Sequence, residues 1–344
     1  MLTLDISRAF SVNKVLRSSF DECRLCLRDV ERAGREVVIS PSLTQKEFMI
    51  KAGSLPPEMY MPHRNFFSAL FQAVYGFLDI PQERRMLYGR INYLFRIWVT
   101  SADNLLDGED KVSFSVKMPV DSRVMRQVVV IMAADRILAR FLDDAVTAGV
   151  ISRDEARLVS DGTLQVLLPS AAEEASEEGG IKKRPAPEYV LNTIHQLKTG
   201  LLFHLPLFGP ERIEKNADRK VLADCREGLG KFGLGCQLLD DMRDLARDHL
   251  EKRQNYALSL MVYQHPSAFK RLNGMENTLK VDDPIFLKFS DELRPVARMG
   301  YEHMLDGLQH LNRCGLGLKD EYAQAIVHWM FKALDVEKSL RWLA

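Results

Sequence analysis

The sequence predicts an all-α protein folded as a single large helical bundle, and three observations predict it. Apolar residues return every three or four positions along most of the 344-residue chain. No stretch sustains the alternation of a strand closed by hairpin-turn residues. Proline and glycine punctuation divides the chain into roughly ten helices joined mostly by short loops.

Taken in order, helical stepping runs around Val12 to Val30, and then through Leu87, Ile91, Leu94, Trp98, Ala102 and Leu105, a stripe that ends near Gly108. It resumes at Val124 to Phe141, Ala156 to Leu168, Tyr189 to Phe203, Val221 to Leu245, and Tyr322 to Leu343. Gly34 to Arg64 is poorly periodic and reads as a loop. Glu173 to Pro187 switches from acidic to basic across a glycine pair and reads as a mobile loop near a site. No repeat of solenoid spacing is present, so one domain spans 1-344: a variable segment 1-63, a core 64-248 and C-terminal helices 249-344.

Composition narrows the function classes. With 46% apolar and 27% charged residues the chain is of ordinary globular type. Lys plus Arg and Asp plus Glu each number 47, so no charge excess points toward nucleic acid. The first twenty residues lack an export signal's apolar stretch, and no run approaches the ~18 residues of a membrane span. Five cysteines without a leader fit a reduced cytoplasmic protein, and Cys23 and Cys26, three apart on an amphipathic helix, read as packing.

Chemistry concentrates in two acidic helix edges. In Gly233 to Asp248, Asp240, Asp244 and Asp248 recur every four residues on one expected helix face, with Asp241 beside them. In Ser101 to Lys111, Asp103 and Asp107 repeat that spacing. Like charges one turn apart cost a few tenths of a kcal/mol per pair (~0.2–0.5), so such edges either face bulk water or serve a ligand. An aspartate pair is the donor set Mg²⁺ takes together with phosphate oxygens. Between two such edges, Mg²⁺ would hold a diphosphate and let it leave as a stabilised anion. Aromatic side chains suited to the resulting cation are Phe67, Phe71, Tyr93, Phe95, Trp98, Phe203 and Phe232.

These residues resemble a known family. Gly233, Gln237, Asp240, Asp241 and Asp244 reproduce the GxxFQxxDDxxD pattern of polyprenyl diphosphate synthases, with Cys236 in place of the phenylalanine. Lys198-Thr199-Gly200 is similar to the family's KTG segment, and Asp103 to Asp107 resembles its first aspartate-rich motif, with Asn104 replacing the second aspartate. The resemblance implies an isoprenoid synthase bundle with a central apolar pocket. It implies Mg²⁺ bound by Asp103, Asp107, Asp240 and Asp244, with Asp241 and Asp248 as further ligands. It also implies that Lys198, Arg243, Arg64, Lys252 and Arg253 steady the phosphates beside Gln237, and that Trp98 and Val99 limit product length.

The implied substrate is a farnesyl- or geranyl-type diphosphate, and a homodimer is common in families of this shape. The family's basic residues around the first motif are missing, which leaves open what attacks the cation. Asp240, Asp244 and Asp248 also keep the metal-ligand spacing of terpene cyclases, and Arg243, Asp244 and Asp248 resemble the RDxxED segment of squalene and phytoene synthases. A catalytically silent helical binding or regulatory subunit is the reading from another class.

Overall fold

The computed structural model describes residues 6–343; Met1 to Asp5, the start of the stretch read for an export signal, lie outside it. Helices follow one another as α1 (Ile6–Val12), α2 (Lys14–Val37), α3 (Phe66–Phe77), α4 (Gln82–Leu106), α5 (Arg123–Thr147), α6 (Arg153–Gln165), α7 (Leu168–Glu177) and α8 (Pro187–Tyr189). Then come α9 (Leu201–His204), α10 (Phe208–Ile213), α11 (Arg219–Arg243), α12 (Leu245–Leu250), α13 (Tyr256–Gln264), α14 (Pro266–Asn273), α15 (Ser290–Leu311) and α16 (Asp320–Ala333). Among the described residues the strands are β1 (Lys51–Ala52) and β2 (Val116–Lys117), an antiparallel pair. No described helix is long and apolar enough to cross a membrane.

Chain contacts separate two compact units. One holds Phe10–Leu164 and Leu205–Asp218; the other holds Gln165–His204 and Arg219–Ala344 with the described part of Met1–Ala9.

In the first unit α2 packs on α3, α4 and α5, and α4 packs on α5. Leu16, Leu27 and Val30 of α2, Leu70 and Val74 of α3, and Leu87 and Leu94 of α4 are all buried in the apolar core of these packed helices. Cys23 and Cys26 are buried on that seam, and the Cys26 thiol donates to the Met86 carbonyl at 3.5 Å. Arg84 reaches Glu214 at 3.0 Å and Tyr88 donates to the same carboxylate at 2.6 Å, which pins the Leu205–Asp218 segment to α4.

The inward face of α4 departs from the expected stripe. Leu87, Ile91 and Leu94 are buried, but the line then passes through Ile97, Ser101 and Asn104, while Ala102 is exposed and Trp98 half-buried. Counting apolar letters follows Ala102; the helix instead buries two polar residues one turn apart because Asn104 has partners there. Its Nδ2 donates to the Lys111 carbonyl at 2.8 Å and its Oδ1 accepts the Lys111 amide at 2.9 Å. The helix stops as expected, with Asp107 at the C-cap and Gly108 at φ +71°.

In the second unit α11 and α15 lie against each other along four glycines. A Cβ on Gly235 would stand 2.6 Å from the Gly300 carbonyl, and one on Gly307 would stand 2.6 Å from the Gly228 carbonyl. Gly228 and Gly235 are seven residues apart, as are Gly300 and Gly307, so a heptad of bare backbone on each helix permits the approach. Cys236, standing where the resemblance expects phenylalanine, is buried beside Met304 of α15.

The segment 187–204 is helical throughout, as the periodicity predicts, but its middle widens into π-helical turns at Val190–Ile194 and Gln196–Gly200. Such turns are uncommon and recur where side chains are presented for function. Lys198 sits in the second of them.

Candidate active site

The second unit gathers the aspartate-rich helix end, the Lys198 segment and α7. Helical geometry divides Asp240 from its neighbour Asp241, because successive residues point about 100° apart. Asp240 and Asp244 share a partly exposed edge and Asp241 faces inward. The helix is distorted at Asp244, which takes φ −87° and ψ 13° between α11 and α12, but the Asp244 amide still bonds the Asp240 carbonyl at 2.8 Å and the Asp248 amide the Asp244 carbonyl at 2.9 Å.

On the outer edge the two aspartates close on one arginine. Arg243 Nη2 lies 2.5 Å from Asp240 Oδ1, and the guanidinium donates to Asp244 through Nε at 2.9 Å and Nη2 at 2.7 Å. Burial alone would lower the Arg243 pKa, and Asp244 and Asp240 outweigh it and raise it. Arg243 thus offsets the repulsion that four-residue spacing imposes on the pair.

The inner carboxylate is fully engaged. Asp241 lies 3.0 Å from His195 Nε2, accepts from Gln237 Nε2 at 2.8 Å, and accepts from the Tyr256 amide at 2.5 Å. Gln237 Oε1 in turn accepts the Thr199 hydroxyl. This chain, Thr199 to Gln237 to Asp241 to His195, ties the KTG segment to the aspartate-rich helix at two points. Asn255, the N-cap of α13, donates to the Asp241 carbonyl at 2.7 Å and to Asp248 Oδ2 at 2.8 Å. Burial, with Asp241 and Asp244 close by, raises the Asp248 carboxyl well above the usual range. Asp241 is therefore buried and, like Asp248, held by neighbours of the second unit, whereas Asp240 and Asp244 form a partly exposed edge closed by Arg243.

Lys198 is largely buried as well, and its partners are glutamates of the segment whose composition predicts a mobile loop. That segment is instead helical through Glu177, because α7 turns Glu173 and Glu177, four residues apart, onto the same buried side. The Lys198 ammonium lies 2.9 Å from Glu177 Oε1, 3.4 Å from Glu174 and 3.6 Å from Glu173. Burial would lower the lysine, but Glu177, Glu173 and Glu174 outweigh it and raise it. Burial, then the Glu177 and Glu174 carboxyls, push Glu173 up to about 9 against the pull of Lys198.

The other oxygen of Glu177 accepts the Gln254 amide at 2.7 Å, which carries the network into the turn after α12. The Ile181 amide donates to the Lys252 carbonyl at 2.8 Å, and Arg184 donates to the Arg253 carbonyl at 2.7 Å and the Asp248 carbonyl at 3.0 Å. The Arg184 guanidinium donates to these two carbonyls, and burial lowers it to about 10 against the opposing pull of Asp248, Glu177 and Asp241. Lys252 adopts φ +57° at an exposed corner, and Arg253 pairs with Glu251 at 2.8 Å. His195, Arg184, Asn255 and the α7 glutamates escaped the sequence reading. His195 lies three residues before Lys198, and that proximity was the signal available.

In the first unit Asp103 and Asp107 lie one turn apart at the end of α4. Trp98 donates its indole N–H to the Ile131 carbonyl at 3.4 Å and meets Phe95 edge-on at 5.7 Å, with Val99 half-buried beside it. Arg64 closes an exposed turn, Pro62–Arg64. Phe67 and Phe71 pack at 6.4 Å, and in the second unit Phe203 and Phe232 do the same.

Whether these residues suit Mg²⁺ follows from the donors. Mg²⁺ takes hard oxygens, keeps several waters and uses one or two carboxylates with phosphate. Asp240 and Asp244 are such oxygens at an accessible edge, and they fit. Among the described residues no three His, Cys, Asp or Glu side chains group to hold a metal ion, so an ion on this pair would fill its shell with water and phosphate oxygen.

The fold is that of the polyprenyl diphosphate synthases. The chain is similar over 93% of its length, and 98% of the other's, to a geranylgeranyl pyrophosphate synthetase from Pyrococcus horikoshii Ot3, at a TM-score of 0.55 and 14% identity. A geranyltransferase from Legionella pneumophila matches 96% of this chain and 98% of its own, with a TM-score of 0.53 and 14% identity. A heptaprenyl diphosphate synthase from Staphylococcus aureus matches 92% and 97%, with a TM-score of 0.53 and 14% identity. No family model and no curated protein matches the sequence.

Proposed function

We propose that this chain is a Mg²⁺-dependent prenyltransferase that ionises an allylic prenyl diphosphate of farnesyl or geranyl type and joins the cation to a second isoprenoid unit. The observation that carries this reading is the link from Thr199 through Gln237 to Asp241. It makes the Lys198 segment and the aspartate-rich helix one rigid support, as a diphosphate anchor needs.

Asp240 and Asp244 would hold Mg²⁺, and Asp103 and Asp107 form a second pair of the same kind. Bound there, Mg²⁺ neutralises phosphate charge and favours departure of the diphosphate. The chain's own residues do the rest. Arg243, paired with Asp240 and Asp244, would donate to a phosphate oxygen in place of one of these aspartates. Lys198 leaves the weaker of its carboxylate contacts, Glu173 and Glu174, for the leaving group. Lys252 and Arg253 stand on the turn that Glu177 and Arg184 hold in place. Ionisation breaks the bond from C1 to oxygen with its electron pair going to the diphosphate. The double bond of the second unit then attacks C1 to form the new carbon–carbon bond, and the proton lost in restoring an alkene passes to an oxygen of the departed diphosphate.

A second reading draws on a specific observation. Arg243 already balances Asp240 and Asp244, and three glutamates already hold Lys198, which is also what a catalytically silent helical subunit would carry. Incubation with farnesyl diphosphate and Mg²⁺, with and without isopentenyl diphosphate, separates the readings. Longer diphosphates support prenyl transfer, and hydrocarbons mean cyclisation or coupling. Absence of any Mg²⁺-dependent turnover with these or with geranyl diphosphate means the silent subunit.

A further inference from the structure

The segment 38–52 of the first unit is an excursion whose arms are bonded together. The Ser40 amide donates to the Ile50 carbonyl at 3.1 Å, the Ala52 amide donates to the Val38 carbonyl at 3.1 Å, and the Ile50 amide donates to Ser40 Oγ at 2.7 Å. The tip is held by turns of its own, Thr44 to Pro41 at 2.9 Å and Phe48 to Gln45 at 2.9 Å. This bonded frame presents apolar side chains outward: Leu43 is 95% exposed, Ile39 69% and Phe48 64%. Scattered exposed apolar residues are ordinary, but three on one short bonded loop are a patch in need of a partner.

Charge identifies the partner. Within 38–52 the charged residues are Lys46, Glu47 and Lys51, and the backbone register sets Lys51 directly opposite Lys117 across the two-residue strand pair. Like charges directly opposite in an antiparallel pair are destabilising, and an anionic surface alongside reverses that sign. Leu43 and Phe48 on a tip that also exposes Lys46 and Glu47, above the paired Lys51 and Lys117, are the pattern of a segment that rests in the interfacial layer of an anionic bilayer, with the two apolar side chains reaching the acyl boundary and the charged groups at the headgroups. A second copy of the chain fits poorly, since a two-fold contact through this loop would bring the same lysines together.

We infer that the 38–52 loop docks this protein on membranes bearing anionic lipid, with Leu43 and Phe48 as the inserted residues and Lys51 and Lys117 as the headgroup contacts. The inference stands apart from the proposed chemistry, because none of its residues belongs to the candidate active site.

Cosedimentation of the full chain with vesicles of phosphatidylglycerol and of phosphatidylcholine tests it. The wild type is expected to pellet with phosphatidylglycerol and to stay in solution with phosphatidylcholine. The double substitution Leu43→Asp and Phe48→Asp lowers the partition coefficient roughly tenfold or more, and Lys51→Gln and Lys117→Gln lower it about fivefold each. Both side chains at the tip are exposed, so thermal midpoints of the variants stay near the wild type and separate lost docking from lost folding. Equal pelleting of wild type and tip variant, equal affinity for both lipids, or wild type left in solution overturns the inference. Conversion of a dimer to a monomer by the tip substitutions, with vesicle binding absent, assigns the loop to a second copy instead and also overturns it.

Discussion

Glu177 Oε1 lies 2.9 Å from the Lys198 ammonium, inside a cluster in which Glu174 and Glu173 stand 3.4 and 3.6 Å from the same nitrogen. One cation facing three carboxyl groups is over-supplied with negative charge. A phosphate can win the lysine only by replacing part of that set. Glu174→Gln is therefore expected to tighten binding of inorganic pyrophosphate by about three- to tenfold, and Lys198→Ala to weaken it at least tenfold. Calorimetric titration in Mg²⁺ buffer checks both; a Glu174→Gln protein that binds more weakly than wild type contradicts the clamp.

Glu173 sets a pH dependence of stability. In the unfolded chain its proton leaves near the ordinary 4.5, and in the fold it stays until about 9. Between those values the native state binds the more protons, so stability contributed by this group is present below the lower value and is lost as pH rises toward the upper. Glu173→Gln removes the titration, and is expected to raise stability by roughly 1–3 kcal/mol at about pH 8 while changing it little near pH 4. Denaturant unfolding at the two pH values reads the difference.

Asn104 bonds both backbone groups of Lys111, so an aspartate placed at that position does not create a metal ligand. Asn104→Asp places a carboxylate oxygen against the Lys111 carbonyl. The expected loss is about 1–3 kcal/mol of stability with no gain in Mg²⁺ affinity. Thermal unfolding with and without Mg²⁺ checks it; an Mg²⁺-dependent rise in midpoint confined to the variant would contradict this assignment.

The glycine contact of α11 with α15 predicts that Gly235→Ala destabilises by about 1–3 kcal/mol, since its Cβ would meet the Gly300 carbonyl at 2.6 Å. Gly76, helical and exposed with open space around its absent Cβ, is the control: Gly76→Ala is expected to stabilise by roughly 0.4–1 kcal/mol. Unfolding curves of the two variants should move in opposite directions.

The helical class was legible because burial follows a repeat of three and four, and most of the helices depend on it. The aspartate-rich helix end was legible for the same reason, through the spacing of Asp240 and Asp244. What periodicity misses is polar burial. Asn104 and Ser101 take core positions that an apolar count passes over, and Glu173 and Glu177 made α7 read as a loop because buried glutamates are rare without a cation, and Lys198 lies more than twenty residues away. Asp248 keeps its four-residue spacing and its amide bonds the Asp244 carbonyl at 2.9 Å, while its carboxylate accepts from Asn255, a partner that spacing alone does not reveal.

The claim on which the rest turns is that Asp240 and Asp244 form an outward pair able to share a divalent ion with a diphosphate. Titration of wild type and Asp240→Asn with inorganic pyrophosphate, in Mg²⁺ and again in chelator, measures it directly. Binding that requires Mg²⁺ in the wild type and falls at least tenfold in Asp240→Asn is the result expected. Equal affinity in Mg²⁺ and in chelator, unaffected by the substitution, would contradict the metal site and leave the chain a helical binding protein.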